Sequence, residues 1–292
     1  MIQLTQAQAQ EFDDLGFLIL RHWIPAELVA RLRAAVDSAI ESALEAAKGV
    51  PSASDFCIVQ SEESPFVIYV EHLHRHAHPA SLELAGSPQM RCIGEILCGE
   101  DYLVAYEYAV VKTRGDGERV PWHQDMIHDR RFRIINFGLY LSEATTSEGA
   151  LRVVPRTQKA AQDICALEAD PGLETVSIEM SPGDVLLHDV MLVHSSEGLV
   201  HKHQRQVLYF ELRSLEHLRN NPRVSPEWIS ARQRLKEIEG AAYQRKGLCY
   251  EQLDEVDMLA EQRAIENVYG LRLGRESGRY CSPQGGTASH TS

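Results

Sequence analysis

The segment Trp122-His123-Gln124-Asp125 carries two residues of the types that hold divalent metals. Side chains alternate along an extended chain, so His123 and Asp125 would emerge on one face and reach a single ion. The pair alone is weak evidence, because H-x-D arises by chance in many proteins. It gains weight downstream, where the tight turn Ser181-Pro182-Gly183-Asp184 leads into an apolar stretch ending at His194. Two histidines and one carboxylate suit a non-haem Fe(II) centre. They occupy one triangular face and leave three positions open, two for a chelating co-substrate and one for O2. Arg205 lies eleven residues after His194 and opens the apolar run Gln204–Leu212. An arginine there faces inward only with an anionic partner, and a dicarboxylate held by two parallel hydrogen bonds supplies one.

The elements that must position these residues are readable in outline. Thr5 with Gln8 three residues on is a capping box for a helix over about 6–14, and Gly16 ends it. Phe17–Leu20 reads as a strand, and Pro25 opens a long helix running to about Lys48. Residues 50–90 are mixed and punctuated by prolines, with a helix near 89–99. From 102 onward β-branched and aromatic runs dominate: Tyr102–Lys112, Arg133–Leu141, Ala150–Val154, Thr175–Met180, Val185–Leu187, Met191–His194 and Gln204–Leu212. Turn chemistry separates them, including Gly115-Asp116-Gly117 and Asp170-Pro171-Gly172. This order predicts an antiparallel sandwich or barrel. Helices are expected again at Pro226–Glu239 and Asp254–Tyr269. The Gly/Ser/Thr-rich tail, 274–292, is expected to be poorly ordered. One domain is expected over 1–273, with its strand core at about 102–212.

The bulk properties exclude several classes. A formal charge of −13 argues against broad electrostatic binding to nucleic acid or anionic membranes. No stretch is long and apolar enough to span a bilayer, and the first residues lack a secretory pattern. The six cysteines contain no C-x-x-C pair, so they are expected to be reduced thiols of a cytoplasmic protein.

The order of these motifs resembles the phytanoyl-CoA dioxygenase family of Fe(II)/2-oxoglutarate oxygenases, which includes ectoine hydroxylase. The resemblance rests on Glu11–Leu20 with Ile24-Pro25, on Trp122–Asp125, on Gly149–Pro155, and on Pro182-Gly183-Asp184, His194-Ser195-Ser196 and Arg205. It covers roughly residues 8–212. It implies a mainly β fold, a double-stranded β-helix (jelly-roll) core with flanking α-helices. It also implies that His123, Asp125 and His194 bind Fe(II), and that Arg205 and Ser196 grip the distal carboxylate of 2-oxoglutarate. Gln124 would lie near substrate or co-substrate, and Lys112 and Tyr106 would serve the proximal carboxylate or the substrate. Consumption of 2-oxoglutarate and O2 would give succinate, CO2 and an oxidised C–H bond. In halogenating relatives a small residue replaces the carboxylate, so Asp125 favours oxygen transfer. Arg156-Thr157-Gln158 after Pro155, and Ser195-Ser196-Glu197-Gly198, depart from the family's usual turns.

Other groups carry weaker expectations. His72, His74, His76 and His78 would share a face if extended and could then bind a metal. The simpler expectation is a solvated loop or helix start before Pro79. His188 is expected to be a core or surface histidine. Trp122 is expected to pack beside the site, within reach of substrate. Arg131, in the charged run Asp129–Arg133, is a candidate for meeting an anionic substrate at the mouth. The partners expected are a small-molecule substrate and at most a second copy of the chain. The rival readings are the same fold with another divalent metal doing non-oxidative chemistry, and a non-catalytic binding protein.

Overall fold

The capping box at Thr5 forms as its spacing implies. In helix α1 (Gln6–Leu15) the Gln8 N–H donates to the Thr5 hydroxyl, and the Thr5 N–H donates back to Gln8 Oε1. Gly16 ends the helix at φ 85°, a left-handed conformation open to glycine without a Cβ penalty. The structure is a computed structural model that describes residues 3–47, 55–60, 64–76, 80–114, 119–201, 204–244, 278–281 and 287–290.

After α1 come β1 (Phe17–Leu20) and α2 (Ala26–Ala47). The stretch of mixed patterning resolves into β2 (Phe56–Val59), β3 (Phe66–Glu71) and the helices α3 (Leu73–His76), α4 (Ala80–Ala85) and α5 (Pro88–Cys98). Strands follow: β4 (Leu103–Thr113), β5 (Val120–Gln124), β6 (Ile134–Tyr140) and β7 (Leu151–Val154). Helix α6 (Ile164–Ala169) precedes β8 (Val176–Ile178), β9 (Val185–Asp189), β10 (Val193–Ser196) and β11 (Gln204–Arg213). Helices α7 (Leu215–Asn220) and α8 (Pro226–Gln244) come next, and then β12 (Gly278–Cys281) and β13 (Thr287–His290).

The strands form two sheets, ordered β1-β9-β6-β11-β4-β3-β2 and β13-β12-β5-β10-β7-β8. Sheet-rich, antiparallel and flanked by helices, this is the jelly-roll class expected from the sequence. Every residue of β6 is buried, as are all but the first of β11, because these central strands are covered on both faces. Covering on both faces is why they read as apolar runs and not as alternating patterns. One face of the larger sheet packs Phe137, Phe210 and Leu212 against Leu32, Val36 and Ile93 of the helices. Each such side chain contributes about 1.5–3 kcal/mol of transfer free energy. The other face turns Tyr140, Val207 and Leu186 toward Leu151, Val153 and Ile178 of the smaller sheet. Gly138 leaves room on that face for the Tyr209 ring; a Cβ there would lie 2.8 Å from Tyr209 Cε1.

Two expectations are corrected. Part of the tail is ordered into strands, with β12 paired to β5 and β13 to β12. Composition misled because the strand gains its hydrogen bonds from a partner more than 150 residues earlier in the chain. The cysteines are not all thiols: Cys165 on α6 and Cys281 on β12 form a disulfide, 116 residues apart, while Cys57, Cys92 and Cys98 are free. The helix expected over Asp254–Tyr269, the turn at Gly115–Gly117 and His78 lie outside the described residues. Among the described residues no helix is long and apolar enough to cross a membrane.

Candidate metal centre

His123 and His194 are direct partners on adjacent antiparallel strands, β5 and β10. Paired residues project to the same side, so the two rings meet with centroids 4.1 Å apart. Asp125 follows the end of β5, where its N–H donates to Val190 O at 2.9 Å. Its Oδ1 lies 3.3 Å from His123 Nε2 and 3.6 Å from His194 Nε2. Each histidine has Nδ1 against a backbone carbonyl: Pro121 O at 2.8 Å for His123 and Leu192 O at 2.9 Å for His194. A carbonyl only accepts, so Nδ1 carries the proton and the Nε2 lone pairs converge beside the carboxylate. Burial, and then the neighbouring His123, push His194 down to about 3, which keeps its ring neutral at neutral pH. Burial acts to raise Asp125, but the neighbouring histidines, His194 first, outweigh it and hold the carboxyl well below its usual range. Asp125 keeps 29% of its side chain exposed while both rings keep 8%, so the group is open on the carboxylate side. Two imidazoles with their Nε2 lone pairs turned inward and an ionised carboxylate fit Fe(II).

The opposite sheet contributes two residues that sequence reasoning did not place here. Asn136 on β6 donates to Asp125 Oδ2 at 3.0 Å, and its Nδ2 lies 3.1 Å from His188 Nε2 on β9. Asn136 is the one strongly polar residue in an otherwise apolar, fully buried strand. That was the available signal.

Arg205 enters on the inner face of β11. Its side chain is fully buried, one Nη donates to Gly149 O at 2.5 Å, and its Nε has no partner. Among the described residues no carboxylate pairs with it. An uncompensated buried guanidinium costs several kcal/mol, so an anion belongs beside it. Lys112 is the cross-strand partner of Arg205, and its Nζ donates to Glu197 O at 2.7 Å and Ser196 O at 3.3 Å. Ser196 lies on the same face of β10 as His194, two residues on.

This order and spacing belong to a known group. A family model described as phytanoyl-CoA dioxygenase (PhyH) matches residues 12–207. The chain belongs to this family. Phytanoyl-CoA dioxygenase family proteins are Fe(II)/2-oxoglutarate-dependent enzymes that use O2. Solved structures of the same fold include AviO1 from Streptomyces viridochromogenes Tue57, 22% identical, with a TM-score of 0.60 over 75% of this chain and 96% of that one. EctD from S. alaskensis, solved with 2-oxoglutarate and 5-hydroxyectoine, is 21% identical with a TM-score of 0.60 over 73% and 77%. The carbocyclase SnoK from nogalamycin biosynthesis, described as non-heme and alpha-ketoglutarate dependent, is 17% identical with a TM-score of 0.59 over 72% and 84%. No curated protein sequence matches significantly.

The candidate substrate residues Gln124, Trp122 and Arg131 lie elsewhere, Trp122 in the packing role expected of it. Gln124 and Trp122 face away from His123, by the same alternation that joins His123 to Asp125. The Gln124 amide donates to Met191 O at 2.5 Å and Ala160 O at 3.1 Å and accepts from Gln162 N at 2.9 Å, so it braces the strand. Trp122 packs on Val154, Ile164 and Val193 beneath the Arg152 guanidinium, 5.1 Å away. Arg131 is 77% exposed and paired with Asp129 at 2.6 Å, because a charge needs no burial when water and a neighbour satisfy it. Tyr106 does face inward, its centroid 5.1 Å from Tyr108, which stacks on Tyr209 at 5.3 Å.

A second histidine group, expected to be solvated, is buried. His72, His74 and Glu107 also bring three ligand-type atoms close together. Here, however, Glu107 accepts from both His74 Nδ1 and Arg232 of α8, the latter at 2.7 Å. His76 and Arg75 pair with Asp55 at 3.0 and 2.5 Å.

Proposed function

We propose that this chain is a dioxygenase that hydroxylates an unactivated C–H bond of a small-molecule substrate, with His123, Asp125 and His194 as the Fe(II) ligands. The observation that carries the reading is the convergence of two Nε2 lone pairs on one carboxylate that stays accessible. Bound iron and 2-oxoglutarate supply the oxidising power, with release of succinate and CO2. The protein's own residues do the positioning. The carbonyls of Pro121 and Leu192 fix the tautomer of both histidines, and Asn136 holds Asp125 in place from the opposite sheet. Arg205 takes the distal carboxylate of the co-substrate, with Ser196 about 6–7 Å along β10 from His194. Lys112 adds positive potential at that end while bonded to carbonyls. The inward tyrosines, Tyr106 among them, wall the space in front of the carboxylate and limit water. The substrate arrives at the open side of Asp125.

Succinate formation from 2-oxoglutarate, Fe(II) and O2 tests the reading. The wild type is expected to form succinate and His123→Ala is not. Equal succinate from both proteins would sink it.

A further inference from the structure

The tail strand brings a sixth side chain to the proposed centre. Tyr280 on β12 is the cross-strand partner of His123 on β5. The two rings lie 7° from parallel with centroids 4.8 Å apart. A single Nδ1 hydrogen bond does not by itself set the tilt of the His123 ring about that bond, and a parallel aromatic face restrains it. The strand pairing that carries Tyr280 is short. Only Arg279 and Tyr280 of β12 register with β5, and such short pairings are marginal in water. Arg279 adds one hydrogen bond, to Gln162 O at 3.2 Å. The stronger link is covalent. The next residue, Cys281, is bonded to Cys165 on α6 and packs against the Trp122 cluster on the far face of β5.

We propose that Tyr280 is a positioning residue for the metal-binding edge of His123, and that the Cys165–Cys281 disulfide is the tether that keeps it there. The proposal rests on the reading of His123 as a metal ligand. It makes the centre responsive to thiols. A dithiol attacks the disulfide, the S–S bond breaks through a mixed disulfide, and Cys165 and Cys281 leave as two thiols. The reagent takes up the oxidation as its own cyclic disulfide. Tyr280 then loses its covalent anchor and the imidazole gains freedom to tilt.

Cobalt(II) titration followed by visible absorption tests this without turnover. Peptide mapping of the unreduced protein should first show the Cys165–Cys281 cross-link; both cysteines free would overturn the tether. Oxidised wild type and Tyr280→Phe are expected to bind cobalt alike, since both keep the stacked ring. Tyr280→Ala, and wild type reduced with a dithiol and desalted under argon, are expected to bind roughly 10-fold more weakly. Cys281→Ser should match reduced wild type and ignore the dithiol. A far-ultraviolet dichroism spectrum unchanged in Tyr280→Ala separates loss of positioning from loss of fold, and Tyr280→Phe supplies the rescue. Cobalt affinity of Tyr280→Ala equal to wild type would overturn the positioning role, and affinity unmoved by reduction would overturn the tether. Wild-type cobalt binding by His123→Ala would instead show that the metal-centre reading had failed.

Discussion

Among the described residues, two groups of two histidines and a carboxylate come together, and they are built for opposite ends. At His123, Asp125 and His194, both Nδ1 atoms are spent on backbone carbonyls, the Nε2 atoms converge, and the carboxylate keeps an exposed side. At His72, His74 and Glu107 the carboxylate is already shared by a histidine and by Arg232, which is 3% exposed. Burial acts to raise Glu107, but Arg232 and then His74 pull it down to about 2. A cation entering there would face a guanidinium with no water to screen it. The donor set therefore does not define a metal centre. What defines it is a carboxylate not yet neutralised and ring nitrogens whose protons are parked elsewhere.

The largest effect that could break this contrast is loss of a ligand. Asp125→Ala is expected to lower Fe(II) affinity by more than about 100-fold, read by anaerobic titration, because a ligand matters more than the surrounding partners worth 10–100-fold. His72→Asn, which tolerates the positive φ of 55° at that position, is expected to leave affinity unchanged. Equal losses in both variants would erase the distinction.

Next is the structural cluster itself. Arg232→Ala leaves Glu107 buried without its strongest partner, and urea unfolding is expected to show about 3–5 kcal/mol of destabilisation with iron stoichiometry intact. A change below 1 kcal/mol would mean that the pair does not hold α8 to the sheet. Smaller again is the co-substrate end. Arg205→Ala removes charge-assisted hydrogen bonds of about 1.5–3 kcal/mol, so the 2-oxoglutarate requirement should rise roughly 10- to 100-fold while metal content stays near wild type. An unchanged requirement would place the distal carboxylate elsewhere.

The smallest effect is in pH. Burial lowers His72 to about 4, with Glu107 and Asp55 opposing the shift. Its folded value then lies below the unfolded 6.5, so between the two the unfolded chain binds more protons. Stability from this residue is present above pH 6.5 and is lost as pH falls toward 4. His72→Asn should flatten that part of the stability profile, as measured by thermal melts; an identical slope would argue against a neutral buried ring.

Local signals were legible and distant ones were not. The Thr5 box, the Gly16 stop and the β-branched runs from 102 onward each depend on a few neighbouring residues, and the elements formed there. The His123, Asp125 and His194 grouping was legible because strand alternation and motif order constrain it. The same alternation, applied to Trp122 and Gln124, would have turned both away from the centre. Asn136 and His188 were hidden because β6 and β9 are buried on both faces, so no polar alternation reveals which way a side chain points. Tyr280 was hidden more deeply, since its strand exists only by pairing with β5 and its Cys281 neighbour looked like an isolated thiol. His72 and His74 looked solvated because the arginine that buries them with Glu107 comes from α8, far along the chain.

The most direct test is the visible charge-transfer band that Fe(II) and 2-oxoglutarate give together without O2, recorded for wild type, His72→Asn and Asp125→Ala. The account predicts a band of equal strength at one iron per chain in wild type and His72→Asn, and no band in Asp125→Ala. A band that survives in Asp125→Ala but vanishes in His72→Asn would contradict it, and would place the iron in the other cluster.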